Sequence, residues 1–220
     1  PSDATVSTAK IVDDAVTLAK MASGTDGNII SYDASGNPVA VATGSAGQVL
    51  TSAGAGAPPT FAAAGGITVI DQWRIIADAN YGGGTNNITG TWERNDTAGA
   101  ALVGTGVSES SGIFTFGSTG IYLIEAGLYL VRHNTTSTYN VLGIRTCQDG
   151  SSYSDRVQIG SHVEDISGQH TNSIASYVFD VTNISTHKVR LVLENAGSIT
   201  LSGDTSKDRT YIRFIRLGDT

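Results

Sequence analysis

The chain has 220 residues, of which 15% are charged, with 27 glycines and a formal net charge of −7 at pH 7. Charged residues make up about 25% of an average globular protein, so this composition is typical of a rigid extracellular or viral structural protein. We expect no nucleic-acid partner, because the 13 Lys and Arg residues form no run that would hold phosphates.

Cysteine content and hydropathy exclude further classes. The single cysteine, Cys147, excludes an intrachain disulfide and a Cys-based metal site. No stretch reaches the ~18 apolar residues of a membrane span, and the first ten residues lack the basic and apolar regions of a secretory signal. Because the sequence opens on Pro1 without Met, we expect it to be part of a longer protein. We predict no cofactor, no metal and no membrane insertion.

The first predicted element is a short repeat. Residues 6–11, VSTAKI, recur ten positions later at 16–21 as VTLAKM. One interpretation is a single amphipathic helix. The other is a repeated shaft element whose apolar positions meet only in a multimer, which the regular period slightly favours.

A longer repeat follows, with a period of twenty residues. Residues 23–31, SGTDGNIIS, align without a gap with residues 43–51, TGSAGQVLT, and both units continue into a Gly-x-Pro turn at Gly36 and Gly56. Each unit predicts a strand, a turn and a strand, in which glycine supplies a positive φ and proline fixes the exit. One unit has too few apolar residues to bury a core, so we expect it to pack against neighbouring repeats or identical chains.

The second unit carries the more specific pattern. Residues 44–61 read GSAGQVLTSAGAGAPPTF, which resembles the GxxGQVLTSxGxGxxPxF repeats that precede the end domains of bacteriophage tail fibres. A flexible Gly/Ala/Ser linker is the alternative for residues 53–57 and 62–66, but it does not explain an ungapped period. A composition shift at 62–66 divides the chain into a predicted fibre shaft, 1–65, and a head domain, 66–220.

The head is predicted to be all-β, since no helical periodicity follows Gly65. Strand-like runs alternate with turn signals such as YGGG at 81–84 and DG at 149–150, at spacings typical of a sandwich. The runs are residues 73–78, 91–94, 101–103, 141–146, 155–162, 174–181, 188–194 and 210–217.

The strongest strand signal is a hairpin over residues 112–132, in which small residues at 117–120 separate a short run from a long one. One face of the long run carries Tyr122, Ile124, Ala126, Leu128 and Leu130. The other carries Ile121, Leu123, Glu125, Gly127, Tyr129 and Val131. Because both faces are mostly apolar, we expect this strand to lie inside a sandwich or at a subunit interface.

The same hairpin spaces Gly112, Phe114, Gly120 and Tyr122 as G-x-F-x(5)-G-x-Y. This spacing resembles the signature of the trimeric jelly roll shared by complement collagen-stalk heads and tumour necrosis factor. The resemblance implies a ten-strand β-sandwich that is stable only as a homotrimer.

The closing run at 211–217, YIRFIRL, resembles the last strand of that family, although Arg213 stands where the family usually has a small residue. The resemblance therefore extends over residues 71–217. The residues that it assigns to the core or the trimer contact are Phe114, Phe116, Tyr122, Leu128, Tyr211 and Phe214.

Candidate chemistry is sparse. Residues 149–152, DGSS, and 203–208, GDTSKD, offer oxygen ligands for calcium, but their carboxylate density is low and turn chemistry explains them better. The histidines stand at no ligand spacing and beside no plausible nucleophile, and the glutamates are too scattered to pair for glycoside cleavage. We therefore predict that the protein is not an enzyme.

Together these patterns predict a structural protein of a bacteriophage virion, namely a homotrimeric fibre whose head attaches to a host cell-surface glycan or protein. Other virion proteins would bind on its N-terminal side. A capsid head fibre or decoration with a structural or weakly adhesive role is the alternative. A polysaccharide-cleaving spike is less favoured, because the head leaves little room for a solenoid with convergent acids.

Loops on a rigid scaffold carry recognition, so we expect binding at the end of the head remote from the shaft. Strand parity places the predicted loop 80–87 there, together with one or both of the connections 132–139 and 202–209. The candidate receptor-binding residues are Tyr81, His133, Asn134, Tyr139, Asp204 and Lys207. Merely solvated turns are the alternative at each position.

Overall fold

A computed structural model describes residues 24–95, 99, 102–132, 139–163 and 168–220. The chain divides into two compact units, Pro1–Gly65 and Gly66–Thr220. The described residues form strands and turns without a helix, so none of them belongs to a helix that could span a membrane. The ten-residue repeat and the candidate residues His133 and Asn134 lie outside the described residues.

The described residues of the first unit, 24–65, form two antiparallel hairpins. Strand β1 (Ile29–Tyr32) pairs with β2 (Pro38–Val41), and β3 (Gln48–Thr51) pairs with β4 (Thr60–Ala63). Each twenty-residue unit is therefore a strand, a turn and a strand, which confirms the prediction from the repeat.

Glycines twenty positions apart have nearly the same backbone conformation. The φ angles are 78° at Gly27 and 85° at Gly47, and they are 80° at Gly36 and 81° at Gly56. Glycine adopts this left-handed region without a steric penalty. The ungapped sequence period thus reflects a repeated backbone path.

The second unit contains two antiparallel sheets. The described strands are, in chain order, β5 (Ile70–Ile75), β6 (Ala79–Tyr81), β7 (Gly84–Asn87), β8 (Trp92–Arg94), β9 (Val107–Ser110), β10 (Ile113–Phe116), β11 (Gly120–Arg132), β12 (Tyr139–Cys147), β13 (Tyr153–His162), β14 (His170–Val181), β15 (Lys188–Asn195), β16 (Ile199–Leu201) and β17 (Tyr211–Gly218). One sheet has the order β13-β12-β15-β10-β9, with β7 also paired to β15. The other has the order β6-β16-β11-β17-β5-β8, with β14 also paired to β11.

The core lies between these two sheets, and β11 supplies its centre. All five residues of the predicted first face of β11 are buried, namely Tyr122, Ile124, Ala126, Leu128 and Leu130. The ring of Phe114 lies 5.2 Å from that of Trp92 and 5.3 Å from that of Phe214. The Tyr122 hydroxyl donates a hydrogen bond to the Ser118 carbonyl at 3.0 Å, so this phenol is buried with its polar group satisfied.

Four of the described strands were not predicted from the sequence, namely β6, β7, β9 and β16. Strands β7 and β9 have the sequences GTNN and VSES, which lack an apolar alternation, and they form because β15 and β10 offer them free strand edges. The predicted run at 101–103 yields only one described bridge, from Val103 to Ile70.

The prediction that residues 80–87 form a loop is wrong, because most of this segment forms two paired strands. Strand β6 pairs with β16 in the seven-stranded sheet, and β7 pairs with β15 in the six-stranded sheet. This segment therefore crosses from one sheet to the other, and backbone pairing holds most of it in place.

Candidate functional site

The strand directions define two ends of the sandwich. We call the end where β5 begins the proximal end and the end where it ends the distal end. The Ile75 N–H donates to the Thr210 carbonyl at 2.9 Å, and the Ser202 N–H donates to the Tyr129 carbonyl at 2.9 Å. The connection from β16 to β17 and the last part of β11 therefore lie at the distal end.

Two candidate tyrosines flank the turn between β15 and β16 at this distal end. The Tyr139 carbonyl accepts a hydrogen bond from the Ala196 N–H at 3.2 Å, and Tyr81 pairs with Ile199. The side chain of Tyr139 is open to solvent, with 48% of the residue exposed. Part of this residue is therefore accessible to a partner.

Tyr81 differs from Tyr139. Its ring is half-buried and packs against the core, and this burial raises the pKa of its phenol. Tyr81 therefore offers less surface to a receptor than its position in the sequence suggests.

Asp204 organises the connection between β16 and β17. Its Oδ1 accepts hydrogen bonds from the N–H and the hydroxyl of Ser206, both at 2.8 Å. These hydrogen bonds, with smaller contributions from the charges of Arg209 and Lys207, lower the pKa of the Asp204 carboxyl. Lys207 itself is exposed. Asp204 thus shapes the loop, while Lys207 is available for contact.

The outer face of the seven-stranded sheet carries a row of apolar side chains. Ile70, Ile215, Leu123 and Val178 are neighbours across four adjacent strands. The first three are half-buried, while 52% of Val178 is exposed. Contiguous apolar surface on the outside of a domain is typical of interaction sites, so this row is a candidate for one.

A polar row lies next to it. Arg213 donates from Nη1 to the Glu125 carboxylate at 2.9 Å and from Nε to the Gln72 side-chain carbonyl at 2.6 Å. The unusual arginine in the closing strand therefore faces outward and leaves the core undisturbed. Because Glu125 neutralises it, this row adds no net charge to the face.

Tyr211 lies on the same outer face. A Cβ at Gly127 would lie 2.5 Å from the Tyr211 ring, so the missing side chain lets this ring lie across β11. Burial, reinforced by the charge of Glu125, raises the pKa of the Tyr211 phenol. The other five residues of the predicted core and trimer set are buried between the sheets.

The loop at 149–152, for which the sequence favours turn chemistry over calcium, has the geometry of a turn. Oδ1 of Asp149 accepts hydrogen bonds from the N–H groups of Ser151 at 2.9 Å and Ser152 at 2.7 Å. Among the residues that the structure describes, no three His, Cys, Asp or Glu side chains come together as a metal site.

The sequence did not single out the apolar row. Its signal was present in the closing strand, where Tyr211, Arg213 and Ile215 alternate with the buried Ile212 and Phe214. Pairing that alternation with the second face of β11 would have located the surface. Val178 was not identified because it lies between Ser176 and Asp180 on the outer face of β14, so that face shows no apolar run in the sequence.

No family model matches this chain, and no curated protein matches it in sequence. Among solved structures, the tumour necrosis factor Eiger from S. frugiperda has a TM-score of 0.51 and 12% identity, covering 69% of this chain and 94% of that one. Murine APRIL at pH 8.5 has a TM-score of 0.49 and 12% identity, covering 68% of this chain and 98% of that one.

The chain thus belongs to the all-β class, with a two-sheet sandwich as its larger unit. This sandwich has the fold of a tumour-necrosis-factor-like jelly roll.

Proposed function

We propose that this chain is a homotrimeric fibre protein of a bacteriophage virion, and that its jelly-roll head attaches the particle to the host cell surface. The observation that carries the proposal is the presence, in one chain, of the fibre-like repeat at 44–61 and a tumour-necrosis-factor-like jelly roll directly after it.

The outer face of the seven-stranded sheet supports a trimer. Its apolar row leaves Val178 half-exposed in a single chain, although burying such a side chain stabilises by about 1.5–3 kcal/mol. Two of its ion pairs close within the chain, Arg213 with Glu125 at 2.9 Å and Arg74 with Glu93 at 3.3 Å. A partner that covers the apolar row is therefore itself apolar, as the same surface of a neighbouring chain is.

The hairpins of the first unit support a multimer independently. The most exposed of their large apolar residues are Ile30 at 60%, Tyr32 at 65%, Val49 at 48% and Leu50 at 47%. An isolated two-stranded hairpin is marginally stable at best in water. Identical hairpins from neighbouring chains would cover these residues, as the repeat logic expects.

For attachment, the distal end offers Tyr139 and Lys207 as exposed groups. An aromatic ring supplies a flat apolar surface and an ammonium group supplies hydrogen-bond donors, a combination that suits a glycan or a protein surface. A trimer presents three copies, so that weak contacts at each copy add by avidity.

The test measures binding of the fluorescently labelled full chain to a panel of bacterial strains by flow cytometry. We expect saturable binding to at least one strain, which weakens in Tyr139→Ala and in Lys207→Gln. Arg145→Gln removes a positive charge at the proximal end, from the face of the β12–β13 hairpin where Arg145 pairs with Asp155, and should leave binding unchanged.

The attachment role would be contradicted if a chain of trimeric mass bound to none of the strains that the parent phage infects. Immunolabelling of the capsid rather than a fibre tip would then favour the head-decoration alternative.

A further inference from the structure

A polar cavity of about 280 Å³ lies at the tip of the β12–β13 hairpin, at the proximal end of the sandwich. Its lining consists only of polar residues, namely Thr146, Gln148, Asp149, Ser152, Ser154 and Arg156. At the liquid density of water this volume corresponds to about nine water molecules. The cavity is therefore large enough for one small polar molecule and too small for an extended one.

A β-bulge aims Arg156 at this cavity. Ile144 pairs with Val157 and Arg145 pairs with Asp155, so Arg156 is the extra residue of β13. Bulges redirect side chains and are frequent beside binding sites. The Arg156 Nε donates to the Thr146 hydroxyl at 2.8 Å, which fixes the guanidinium.

The guanidinium keeps most of its donors for a ligand. Within the part of the chain that the structure describes, no carboxylate lies within 4 Å of Arg156, whereas its neighbour Arg145 is paired with Asp155 on the opposite face of the hairpin. Arg156 is also exposed to solvent. Its terminal N–H groups can therefore donate to an incoming oxygen atom.

Asp149 supplies the complementary group. Its Oδ1 is occupied by the N–H groups of Ser151 and Ser152, whereas its Oδ2 accepts no hydrogen bond from the described residues. These backbone hydrogen bonds, Ser152 first, lower the pKa of the carboxyl, so that it is ionised at neutral pH. Asp149 thus lines the cavity and keeps the acceptor capacity of its Oδ2.

A carboxylate, a guanidinium, several hydroxyls and an amide line this one cavity, and such groups match the chemistry of a sugar. Sugar hydroxyls donate to the carboxylate and accept from the guanidinium, and such charge-assisted hydrogen bonds are about twice as strong as neutral ones. The polar lining disfavours an apolar ligand, and the balance of one positive and one negative charge disfavours an ion.

We infer that this cavity binds one uncharged hexose unit of a cell-surface polysaccharide. The polysaccharide context rests on the proposed attachment function, whereas the capture of a hexose rests on Arg156 and Asp149 alone. None of the described residues that line the cavity is aromatic, so a single site binds weakly and three copies in a trimer bind more strongly.

The test uses saturation-transfer NMR on the full chain with the methyl glycosides of glucose, galactose and mannose. We expect at least one of them to receive saturation from the wild type, and Arg156→Met to lower its affinity about fivefold or more, as the loss of one charge-assisted hydrogen bond does. Arg145→Met removes the same charge from the other face of the hairpin and should bind like the wild type. Gln148→Ala provides a second cavity variant if Arg156→Met does not fold.

The inference is overturned if none of the three glycosides receives saturation, or if Arg145→Met weakens binding as much as Arg156→Met. It is also overturned if inorganic phosphate displaces the glycoside, because the cavity would then be an anion site. Glycoside binding by a chain that attaches to no cell would keep the cavity and remove the attachment function. Cell attachment without any glycoside signal would keep the attachment function and rule out the hexose site.

Discussion

Asp71 and Arg94 form an ion pair that ties β5 to β8. The Arg94 Nε and Nη2 donate to the two carboxylate oxygens of Asp71 at 2.9 and 3.2 Å, and the Asp71 side chain is completely buried. Asp71 also accepts the Val107 N–H at 2.7 Å. One carboxylate therefore joins an edge strand, a neighbouring strand and the start of β9 at the rim of the core.

We expect Asp71→Ala to destabilise the head by about 3–5 kcal/mol, because it leaves a charged guanidinium and a backbone N–H without their acceptor. Urea unfolding at fixed chain concentration measures the change. Asp155→Ala breaks the solvent-exposed pair with Arg145 and should cost only about 0–1 kcal/mol. Equal losses in the two variants would contradict a structural role for the buried pair.

Phe114 is fully buried and contacts the rings of Trp73, Trp92 and Phe214. Phe114→Ala should lower the free energy of unfolding by about 3–5 kcal/mol, the range for aromatic truncation in a core. Thermal unfolding gives the comparison with Ile184→Ala, which truncates an exposed aliphatic residue. A wild-type melting temperature in Phe114→Ala would show that the core is packed differently.

Gly127→Ala should disturb the outer face, because the new Cβ would lie 2.5 Å from the Tyr211 ring. Overpacking of this kind costs about 1–3 kcal/mol, and displacement of the ring should also weaken assembly. The urea midpoint and the mass in solution are the two measurements. Gly160→Ala is the matched control, since its Cβ would meet no atom closer than 3.9 Å; identical behaviour of the two variants would refute the packing argument.

Because the pKa of Asp149 is lowered on folding, we expect the stability of the head to depend on pH. The N–H groups of Ser152 and Ser151 hold the folded pKa of this carboxyl below its ordinary value near 3.8. The folded state therefore binds the proton less tightly than the unfolded state. Its stabilising contribution is complete above about pH 4 and is lost as pH falls below that value. The melting temperature of the wild type should exceed that of Asp149→Asn at pH 6, and the gap should narrow as the pH falls from about 4 to about 2, towards the lowered folded pKa. A gap that stays constant over this range would contradict the linkage.

Much of the fold was predictable from local pattern. The alternation along residues 121–132 identified the buried face of β11, and the glycine spacing at 27, 36, 47 and 56 identified the two hairpins. These features depend on side-chain periodicity and backbone conformation, which the sequence carries directly.

The candidate sites were less predictable, because they depend on contacts distant in sequence. The polar strand β7 forms only because β15 lies beside it, which turned an expected loop into part of the sheet. Arg156 lines the polar cavity because it is the extra residue of a β-bulge. The sequence pattern does not indicate where such a one-residue shift of register occurs. Asp71 similarly pairs with Arg94, which is 23 residues away in the sequence, so local pattern does not indicate the contact.

The proposed homotrimer is tested most directly by the mass of the full chain in solution, determined by light scattering at micromolar concentration. The proposed trimer predicts three times the chain mass of 22.7 kDa, because the apolar row on the outer face requires a cover that one chain does not supply. A mass of 22.7 kDa would contradict the account, since the row from Ile70 to Val178 would then remain exposed to water in the working protein.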